Sequence, residues 1–451
     1  MLKNSFVVVF FCVFCFTQTW VAKHGEDVFY EKDLFDYIPK KDWFSIVDLK
    51  QKEKIVLTFI KQEVAIKSAQ KKGLQHSPKI NKKIKNRFHG LIVNEYYMRN
   101  FLGSLVPEQD LNFCFQNLKR EVFVNHILLP LNEASIKESK KIQQQLVNGE
   151  TFYALALNLS VDPSAKQNKG VLGWISVGQT VPEFQDKIFS LCVGCVDVVE
   201  TSFGYHIVRV DSVRASQYKE LETPEYNDWA FKFSTAYIKE DLSLLAAQHD
   251  SSLLKENNVF ISRRQLEKII KLIEQERFNF GKEKSRREVD VLGVLTSFSE
   301  IVGTYKEEVL GGAWFVNKIK NGLYQKKTYY DNTDQLYNDF IRILIREIVF
   351  GLGLTKGVDK GFSFKQQFNS VKKDILQKSW IKHLVDSVPE PSLTEIEDYY
   401  NLTKKTNPSL EFSVESIGSI LLQQNQQKTQ DNFNLQVESL SQLNLVWIHN
   451  E

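Results

Sequence analysis

The sequence predicts an α+β protein in which a small sheet-containing domain lies between mainly helical arms. Two segments alternate apolar and polar residues with the period of a strand, "EVFVNHILLP" at 121–130 and "GYHIVRV" at 204–210. The chain between them, and the long segments on either side, repeat apolar residues at helical spacing instead. A small sheet within a mainly helical chain is typical of the α+β class.

Length and composition bound the class of protein before any motif is considered. A chain of 451 residues is too long for one ordinary core and predicts about three domains. Hydrophobic residues make up 43% and charged residues 25%, the composition of a globular protein rather than a disordered one. The net charge of +3 is too small to indicate nucleic acid as a partner, and none is expected.

The N-terminus has the layout of a secretory leader. One early cation, Lys3, precedes an apolar run from Phe6 to Phe16 and then small polar residues. This layout predicts a signal peptide over residues 1–22, and an uncleaved membrane anchor is the alternative. In both cases we expect an exported protein in a periplasmic location, and an anchor would keep it close to the membrane.

The remaining cysteines are Cys114, Cys192 and Cys195. So sparse and odd a set does not predict a disulfide-stapled fold. The CxxC spacing of 192–195 allows a disulfide in an oxidising compartment. No βαβ pattern surrounds it, however, so redox catalysis is not expected there.

Both strand-like segments carry a histidine on an apolar face. His126 alternates with aliphatic residues in the first strand, and His206 shares its face with Val208 and Val210 in the second. A single histidine in such a position is usually a core residue satisfied by one hydrogen bond. Two of them in one short domain make this explanation harder to accept as a coincidence.

Helices and a loop lie between the two histidines. The segment 133–149 predicts a helix that stops at Gly149, and 151–160 predicts a second one. The loop 161–174 follows and carries Asp162. Thr180 and Glu183 then have the spacing of a capping box before a third helix. The predicted order is β–α–α–β–α–β.

These residues carry a resemblance to a known family. In order, the chain contains "VNHILL", "GETFYALAL", "SVDPSA", "GVLGW", "VPEF" and "TSFGYHIV". Together they resemble the parvulin family of peptidyl-prolyl cis/trans isomerases, over 120–213. The resemblance implies a four-stranded antiparallel sheet with flanking helices. It also implies isomerisation of X–Pro bonds with no metal or cofactor.

The resemblance also implies a set of site residues. By position, the catalytic group would be His126, Asp162 and His206, and the substrate pocket would be Leu172, Ile175, Thr180 and Phe184. Thr180 falls where many relatives have Met, a change that would loosen the proline pocket. Lys169 and Val171 replace the Gly and Asp of the usual family loop. We expect these departures to affect catalytic efficiency rather than the fold.

The rest of the chain is predicted to be mainly helical. Residues 23–119 are similar to the arm that precedes the parvulin module in exported foldases of the SurA/PrsA type. Residues 345–400 repeat the pattern of 60–115: a helix ending in Lys-Gly, a long amphipathic helix, then Val-Pro-Glu. Region 214–344 shows no chemistry; "SRRQLEKIIKLIEQERF" in it predicts a helix and "EVDVLGVLTSF" a strand. In the final segment, 401–451, "QLNLVWIHN" is expected to be a strand that pairs near the N-terminal strand.

The expected function is peptidyl-prolyl isomerisation that assists the folding of exported proteins. Its partners would be unfolded or nascent exported polypeptides that contain proline. The alternative is a holdase chaperone that keeps a weak parvulin module mainly as a binding surface. In that case aromatic residues of the arms, Tyr96, Tyr97, Phe101 and Trp380, would line an apolar groove for clients. The competing interpretation is that these aromatics pack the arms against each other.

Overall fold

The structure is a computed structural model that describes residues 19–38, 40–219, 221, 223–278, 285–286, 288–306, 308–320, 329–406 and 413–450. The predicted leader falls almost entirely on residues 1–18, which lie outside the described residues. The predicted leader also included residues 20–22. These residues belong to the strand Trp20–His24, in which Val21 and Ala22 are fully buried. Within the described ranges, no helix is long and apolar enough to cross a membrane.

The strands of the described residues are β1 (Trp20–His24), β2 (Asp27–Tyr30), β3 (Arg120–Leu129), β4 (Val171–Ser176), β5 (Val196–Thr201), β6 (Gly204–Ala215), β7 (Phe260–Ile261), β8 (Gly303–Tyr305), β9 (Glu308–Leu310) and β10 (Ser441–Leu443). They form three antiparallel sheets, in the orders β10-β1-β2, β4-β3-β6-β5 and β7-β8-β9.

The first helices are α1 (Glu31–Phe35), α2 (Lys40–Ser45), α3 (Leu49–Lys71), α4 (Pro78–Tyr96), α5 (Gly103–Leu105), α6 (Glu108–Asn117), α7 (Glu133–Val147), α8 (Phe152–Leu159), α9 (Ala165–Asn168) and α10 (Pro182–Ser190). The later helices are α11 (Thr223–Ser234), α12 (Leu242–Glu256), α13 (Arg263–Arg277), α14 (Val291–Ser297), α15 (Gly312–Lys320), α16 (Thr333–Lys356), α17 (Phe362–Asp386), α18 (Leu393–Thr406), α19 (Val414–Leu440) and α20 (Leu445–Asn450). Short 3-10 turns occur at Leu74–His76, Thr235–Tyr237 and Val358–Lys360, and Tyr97–Leu102 is π-helical.

The chain divides into two compact units. The first combines Met1–Ile84 with Ser370–Glu451, and the second is Lys85–Asn369. In the first unit, sheet β10-β1-β2 packs on α3 around a buried core that includes Phe29, Phe59 and Trp447.

The C-terminal strand was predicted correctly in its pairing but not in its length. β10 pairs antiparallel with β1, as expected for a returning strand. The prediction was wrong beyond Leu443, because Leu445–Asn450 is a helix. Asn444 ends the strand: its Oδ1 accepts a hydrogen bond from the N–H of Trp447, and its side-chain amide donates to the carbonyl of Trp20. Asparagine favours such a helix start over a continuing strand.

The sheet β4-β3-β6-β5 lies in the second unit and confirms the α+β class and the four-stranded antiparallel sheet. Alternate residues of β6 serve different cores. Val208 and Val210 pack with Phe184 and Ile188 of α10, while Ile207 packs on the opposite face with α7 and α8. Two-residue periodicity thus allows one strand to serve two apolar layers.

Two sequence features of this unit are resolved by the structure. Cys192 and Cys195 form a disulfide in the turn between α10 and β5, and Cys114 is free and buried. The strand predicted in "EVDVLGVLTSF" is wrong, because Val291–Ser297 is a helix. Asp290 caps that helix by accepting from the N–H of Gly293, and Val291 and Leu295 are buried.

The two helical arms have the same order of elements. After α3 and after α16 the chain turns at a left-handed glycine, Gly73 with φ 74° and Gly357 with φ 67°. A 3-10 turn and a long helix follow in both, α4 in the first arm and α17 in the second. Glycine adopts this backbone conformation without steric cost, which explains the shared Lys-Gly signal.

The repeat extends beyond the arms to the small sheets. Hairpin β1–β2 precedes α3 as hairpin β8–β9 precedes α16, and each hairpin receives a third strand from a distant part of the chain. In both sheets the residue that follows the third strand donates its N–H to a backbone carbonyl at or next to the hairpin. Asn444 donates to the carbonyl of Val21 and Ser262 to the carbonyl of Val302, each at 2.8 Å. The sequence prediction found the repeat in the helices only.

Equivalent positions of the repeat form an apolar cluster in each unit. In the first unit, Ile66, Leu74 and Ile80 pack on the second half of α17. In the second unit, the equivalent residues Phe350, Val358 and Phe364 pack on the second half of α4. The cluster of each unit therefore contains residues from both copies of the repeat, because α4 belongs to the first copy and α17 to the second.

The aromatic residues predicted to line a client groove are largely internal. Tyr96 is 6% exposed and Phe101 is 8% exposed in the second unit. Trp380 packs on Phe433 and His383 in the first unit. These positions support the interpretation that the aromatics pack the arms, because apolar helix faces bury themselves where they can.

Gly204 at the β5–β6 turn provides a test of the strand pairing. Its φ is 142°, and an added Cβ would lie 2.1 Å from the carbonyl oxygen of Leu129, whereas Gly149, with φ 95°, faces open space. We expect Gly149→Ala to cost only backbone strain, about 1–2 kcal/mol. Gly204→Ala should cost clearly more free energy of unfolding in urea, because it also separates β6 from β3. Equal losses in the two variants would contradict the contact.

Candidate active site

The two histidines lie on the central strands of the sheet. β3 and β6 pair antiparallel with His126 opposite Val208 and His206 opposite Leu128, so the imidazoles are diagonal neighbours on one face. Their Nδ1 atoms are 3.3 Å apart, and the rings stack with centroids separated by 5.5 Å. The residues are 6% and 7% exposed, so both rings depend on protein partners for their hydrogen bonds.

The loop that carries Asp162 is fastened to the end of β3. The hydroxyl of Ser160 accepts a hydrogen bond from the N–H of Leu128 at 3.1 Å, and the N–H of Val161 donates to the carbonyl of Leu128 at 2.8 Å. These bonds hold the start of the loop beside the strand of His126.

Asp162 is the next residue and contacts His126 directly. Its Oδ2 lies 2.6 Å from Nε2 of His126. Its Oδ1 accepts from the N–H and the hydroxyl of Ser164 at 2.8 and 2.9 Å. Partial burial opposes the charge, but the bonds from Ser164 and His126 outweigh it and lower the pKa of Asp162. The residue is therefore a carboxylate at neutral pH.

Thr201 occupies the other end of the histidine pair. It is the last residue of β5, and its Oγ1 lies 2.8 Å from Nε2 of His206. The same oxygen accepts from the N–H of Phe203 at 3.1 Å in the turn that leads into β6. The β5–β6 turn thus supplies the second partner that a buried imidazole needs.

Burial lowers the pKa of both imidazoles, that of His206 to about 4, with the neighbouring His126 as a further cause. Burial outweighs the opposing effect of Asp162 on His126. Both rings are therefore neutral near pH 7, when each has one N–H and one bare nitrogen.

Only one arrangement of protons satisfies every group in this chain of bonds. The carboxylate of Asp162 can only accept, so Nε2 of His126 carries the proton and its Nδ1 is bare. Nδ1 of His206 must then donate to Nδ1 of His126, which leaves Nε2 of His206 to accept from the hydroxyl of Thr201. Donation runs in one direction from Thr201 to Asp162.

A cavity of about 550 Å³ opens above the imidazoles. It is lined by His126, Leu172, Gly178, Gln179, Thr180, Val181, Pro182, Phe184, Phe203, His206 and Ala236. The ring of Phe184 meets both imidazoles edge to face, at centroid distances of 6.2 and 5.1 Å. The base is therefore an aromatic and imidazole surface, and most of the walls are apolar.

The family of this domain follows from a comparison with known proteins. The PPIC-type PPIASE domain matches residues 114–214. The chain contains a PPIC-type PPIase domain, that is, a parvulin domain. The histidine pair, Asp162 and the cavity all lie within or against this part of the chain.

Curated relatives carry related names. A foldase protein PrsA of Oceanobacillus iheyensis is 37% identical over 124 residues, which are 27% of this chain and 39% of that protein. A PrsA of Geobacillus kaustophilus is 31% identical over 37% of this chain and 56% of its own length. A parvulin-like PPIase of Rickettsia prowazekii is 30% identical over 37% of this chain and 61% of its own length. The chain thus spans about two fifths to three fifths of these relatives.

Solved structures of similar proteins include PrsA from Bacillus anthracis. It is 24% identical, with 45% of this chain and 91% of that chain covered and a TM-score of 0.26. The parvulin NmPin of Nitrosopumilus maritimus is 34% identical, with 21% and 97% covered and a TM-score of 0.19.

The structure brings most of the predicted site residues of the parvulin domain together. His126, His206 and Asp162 form one hydrogen-bonded group. Leu172, Thr180 and Phe184 line the cavity. Ile175 does not border this cavity; it is 6% exposed and packs in the apolar core with Phe184.

Sequence reasoning missed several residues of the site. Thr201 stands five positions before His206 in the family motif, and that spacing across a tight turn is the signal that could have identified it. Ser160 and Phe203 also lie within quoted motifs, "SVDPSA" and "TSFGYHIV". Ala236 lies beyond the family match and carries no sequence signal.

Lys169 and Gly170 form the left-handed turn that precedes β4. Lys169 adopts a left-handed φ of 55°, the conformation that a glycine would take freely. The next residue, Gly170, is indispensable, because a Cβ there would lie 2.6 Å from the carbonyl oxygen of His126. The N–H of His126 donates to the carbonyl of Gly170 at 2.8 Å. The strain at Lys169 is therefore compensated by a fixed contact to β3.

Thr201 is expected to stabilise the protonation pattern that Asp162 sets, because its hydroxyl is the donor to Nε2 of His206. Thr201→Val leaves Nε2 of His206 and the N–H of Phe203 without their partner, which should cost about 1–3 kcal/mol of unfolding free energy. Thr201→Ser keeps the hydroxyl and should stay close to the wild type. NMR of the imidazole nitrogens should show His206 protonated on Nδ1 in the wild type and in both variants, because Asp162 fixes that tautomer through His126. A wild-type His206 protonated on Nε2 would contradict the directional chain.

The lowered pKa values predict how stability depends on pH. The unfolded chain takes up protons near the ordinary histidine pKa of 6.5, before the folded imidazoles do. The stability contributed by the neutral pair is therefore complete above pH 6.5 and is lost as the pH falls towards about 4. Histidine NMR titrations should show His206 still neutral at about pH 5.5. A His206 midpoint at its ordinary value would refute this prediction.

Proposed function

We propose that the protein catalyses cis/trans isomerisation of X–Pro peptide bonds through His126, Asp162 and His206, with Leu172, Thr180 and Phe184 as pocket residues. The observation that supports this most directly is the apolar cavity above two neutral, hydrogen-bonded imidazoles. A proline ring is an apolar five-membered ring, and such a cavity can bury it. No covalent bond to the protein is required by the reaction.

The barrier to overcome is the partial double bond of the amide. Rotation about it costs about 20 kcal/mol, and unassisted X–Pro bonds take tens of seconds or longer. Catalysis requires groups that bind the twisted amide better than the planar one. Phe184, beside both imidazoles, and Leu172 hold the proline ring while the preceding carbonyl turns.

The carboxylate of Asp162 provides a fixed charge at one end of the site. A planar amide carries more negative charge on its oxygen than a twisted amide does, since twisting removes resonance. A carboxylate near that oxygen therefore destabilises the planar ground state relative to the twisted state. The neutral imidazoles orient the carboxylate through Nε2 of His126 and add no charge of their own.

The proposed clients are unfolded or nascent polypeptides of the exported proteome. The apolar N-terminal segment supports export, with a periplasmic or membrane-proximal location, and the relatives named foldase support assistance to folding. Because β1 begins at Trp20, a cleaved leader would end before this residue. The mass of the protein recovered from expressing cells should show that loss; a full-length mass would favour an anchor.

The central test is the rate of cis/trans exchange in an X–Pro peptide. Saturating protein should accelerate exchange well above the spontaneous rate, with no added metal or cofactor. A rate equal to the spontaneous one would overturn the isomerase proposal. Suppression of client aggregation by such an inactive protein would then support the holdase alternative.

Two variants of Asp162 separate charge from hydrogen bonding. Asp162→Asn can still accept from His126 but loses the charge, whereas Asp162→Ala loses both. If the charge contributes to the rate, both variants should lower kcat/KM by about 10–100-fold. Asp162→Asn should keep nearly all of the stability, whereas Asp162→Ala should cost about 1–3 kcal/mol of unfolding free energy, because it leaves the Nε2–H of buried His126 without its acceptor. His126→Leu should lower both activity and stability, since it removes the centre of the buried chain. Full activity in the asparagine variant would assign Asp162 a positioning role only.

A further inference from the structure

Part of the cavity wall comes from a segment outside the matched family domain. The family match ends at residue 214, and helix α11 and the 3-10 turn Thr235–Tyr237 follow it. Ala236 of that turn borders the cavity together with the loop between β4 and α10. The segment 223–237, here called the wall segment, therefore contributes to the cavity although it lies outside the matched domain.

The wall segment is packed into the core of the parvulin domain. Tyr226, Ala230 and Tyr237 are each at most 5% exposed and belong to the same apolar cluster as Phe184. The hydroxyl of Tyr226 also donates to the carbonyl of Phe115 in α6. Such burial fixes the segment against the sheet, as expected for an integral element and not for a mobile linker.

Two contacts join the wall segment to the β4–α10 loop. Gly178 in that loop has φ 89°, and a Cβ there would lie 2.0 Å from Cδ1 of Phe233. The phenylalanine ring therefore sits directly against the glycine backbone. Only a residue without a side chain allows this approach.

The second contact is a buried chain of hydrogen bonds. Gln185, 2% exposed, accepts from the N–H of Gly178 at 2.5 Å and donates to the hydroxyl of Tyr237 at 2.8 Å. That hydroxyl in turn donates to Oδ1 of Asp186 at 2.5 Å. Every donor in this chain of hydrogen bonds has an acceptor, so the bonds fix the position of the wall segment relative to the loop.

Thr180 of the β4–α10 loop and Ala236 of the wall segment line the same cavity. The Oγ1 of Thr180 is buried with no hydrogen-bond partner among the described residues. Ala236 lies on the same cavity and is exposed, presenting only a methyl group at the mouth. The mouth therefore has room beside the space for a proline ring, and its edge is apolar.

We propose that Ala236 determines specificity by leaving space for a bulky side chain next to the proline, and that the wall segment positions it. This rests on the proposed isomerase function. The substrate class is then X–Pro segments with a large apolar residue adjoining the proline. A larger residue at 236 should convert the protein to one that prefers small neighbours.

The test uses the full chain with peptides that carry Ala or Phe before the proline, or Ala or Phe after it. Ala236→Leu should lower kcat/KM about 10-fold or more for Phe peptides in one of the two series, with a much smaller effect on Ala peptides. Ala236→Val should give an intermediate loss. Lys232→Leu adds the same side chain to an exposed residue of the wall segment that does not line the cavity, and should leave the profile unchanged.

The outcomes separate this inference from the function on which it rests. A wild type inactive on every peptide overturns the isomerase proposal itself. An active wild type whose Ala236→Leu variant loses Ala and Phe peptides equally, or loses neither, overturns the specificity role alone. A loss confined to Phe peptides and graded from Val to Leu supports it, because a general packing defect would not distinguish the peptides.

Discussion

Two neutral imidazoles buried on adjacent strands need hydrogen-bond partners, because each unpaired buried group costs about 1–3 kcal/mol. That requirement organises the parvulin domain. His126 and His206 satisfy each other through Nδ1, so each has one nitrogen left. Asp162 must then lie at one end and Thr201 at the other. The loop after α8 and the turn between β5 and β6 are held in place accordingly, and the cavity lies above the same pair.

Sequence reasoning predicted the elements whose contacts are local or periodic. The strands of His126 and His206 alternate with period two, so their buried faces could be read directly. The pairing of the histidines came from family resemblance, and the structure supplies its geometry. Thr201 acts only through a turn that folds it back onto His206, and no periodicity marks such a contact. Ala236 is less predictable still, because a helix must first dock before its methyl group reaches the cavity.

Where the sequence prediction was wrong, tertiary packing or a cap overrode local preference. The segment around Val291 is rich in β-branched residues, yet Asp290 caps a helix that buries Val291 and Leu295. The end of the chain has a strand-like composition, yet Asn444 stops the strand. Ile175 lies on the sheet face of the histidine pair, opposite Val122, and packs in the core with Phe184 without bordering the cavity. In the two mispredicted elements a single polar cap decides the outcome.

The internal repeat adds a constraint that neither copy meets alone. Each three-stranded sheet combines a hairpin with a strand distant in sequence, β10 with β1 and β7 with β8. The helical clusters likewise draw on both copies, since Ile80 of α4 packs with α17 in one unit and Phe364 of α17 packs with α4 in the other. Such pairings lose loop-closure entropy before their contacts form, and this loss slows folding. The sheet of the parvulin domain is different: its strands all lie between Arg120 and Ala215, so its central pairing can form before the repeat is complete.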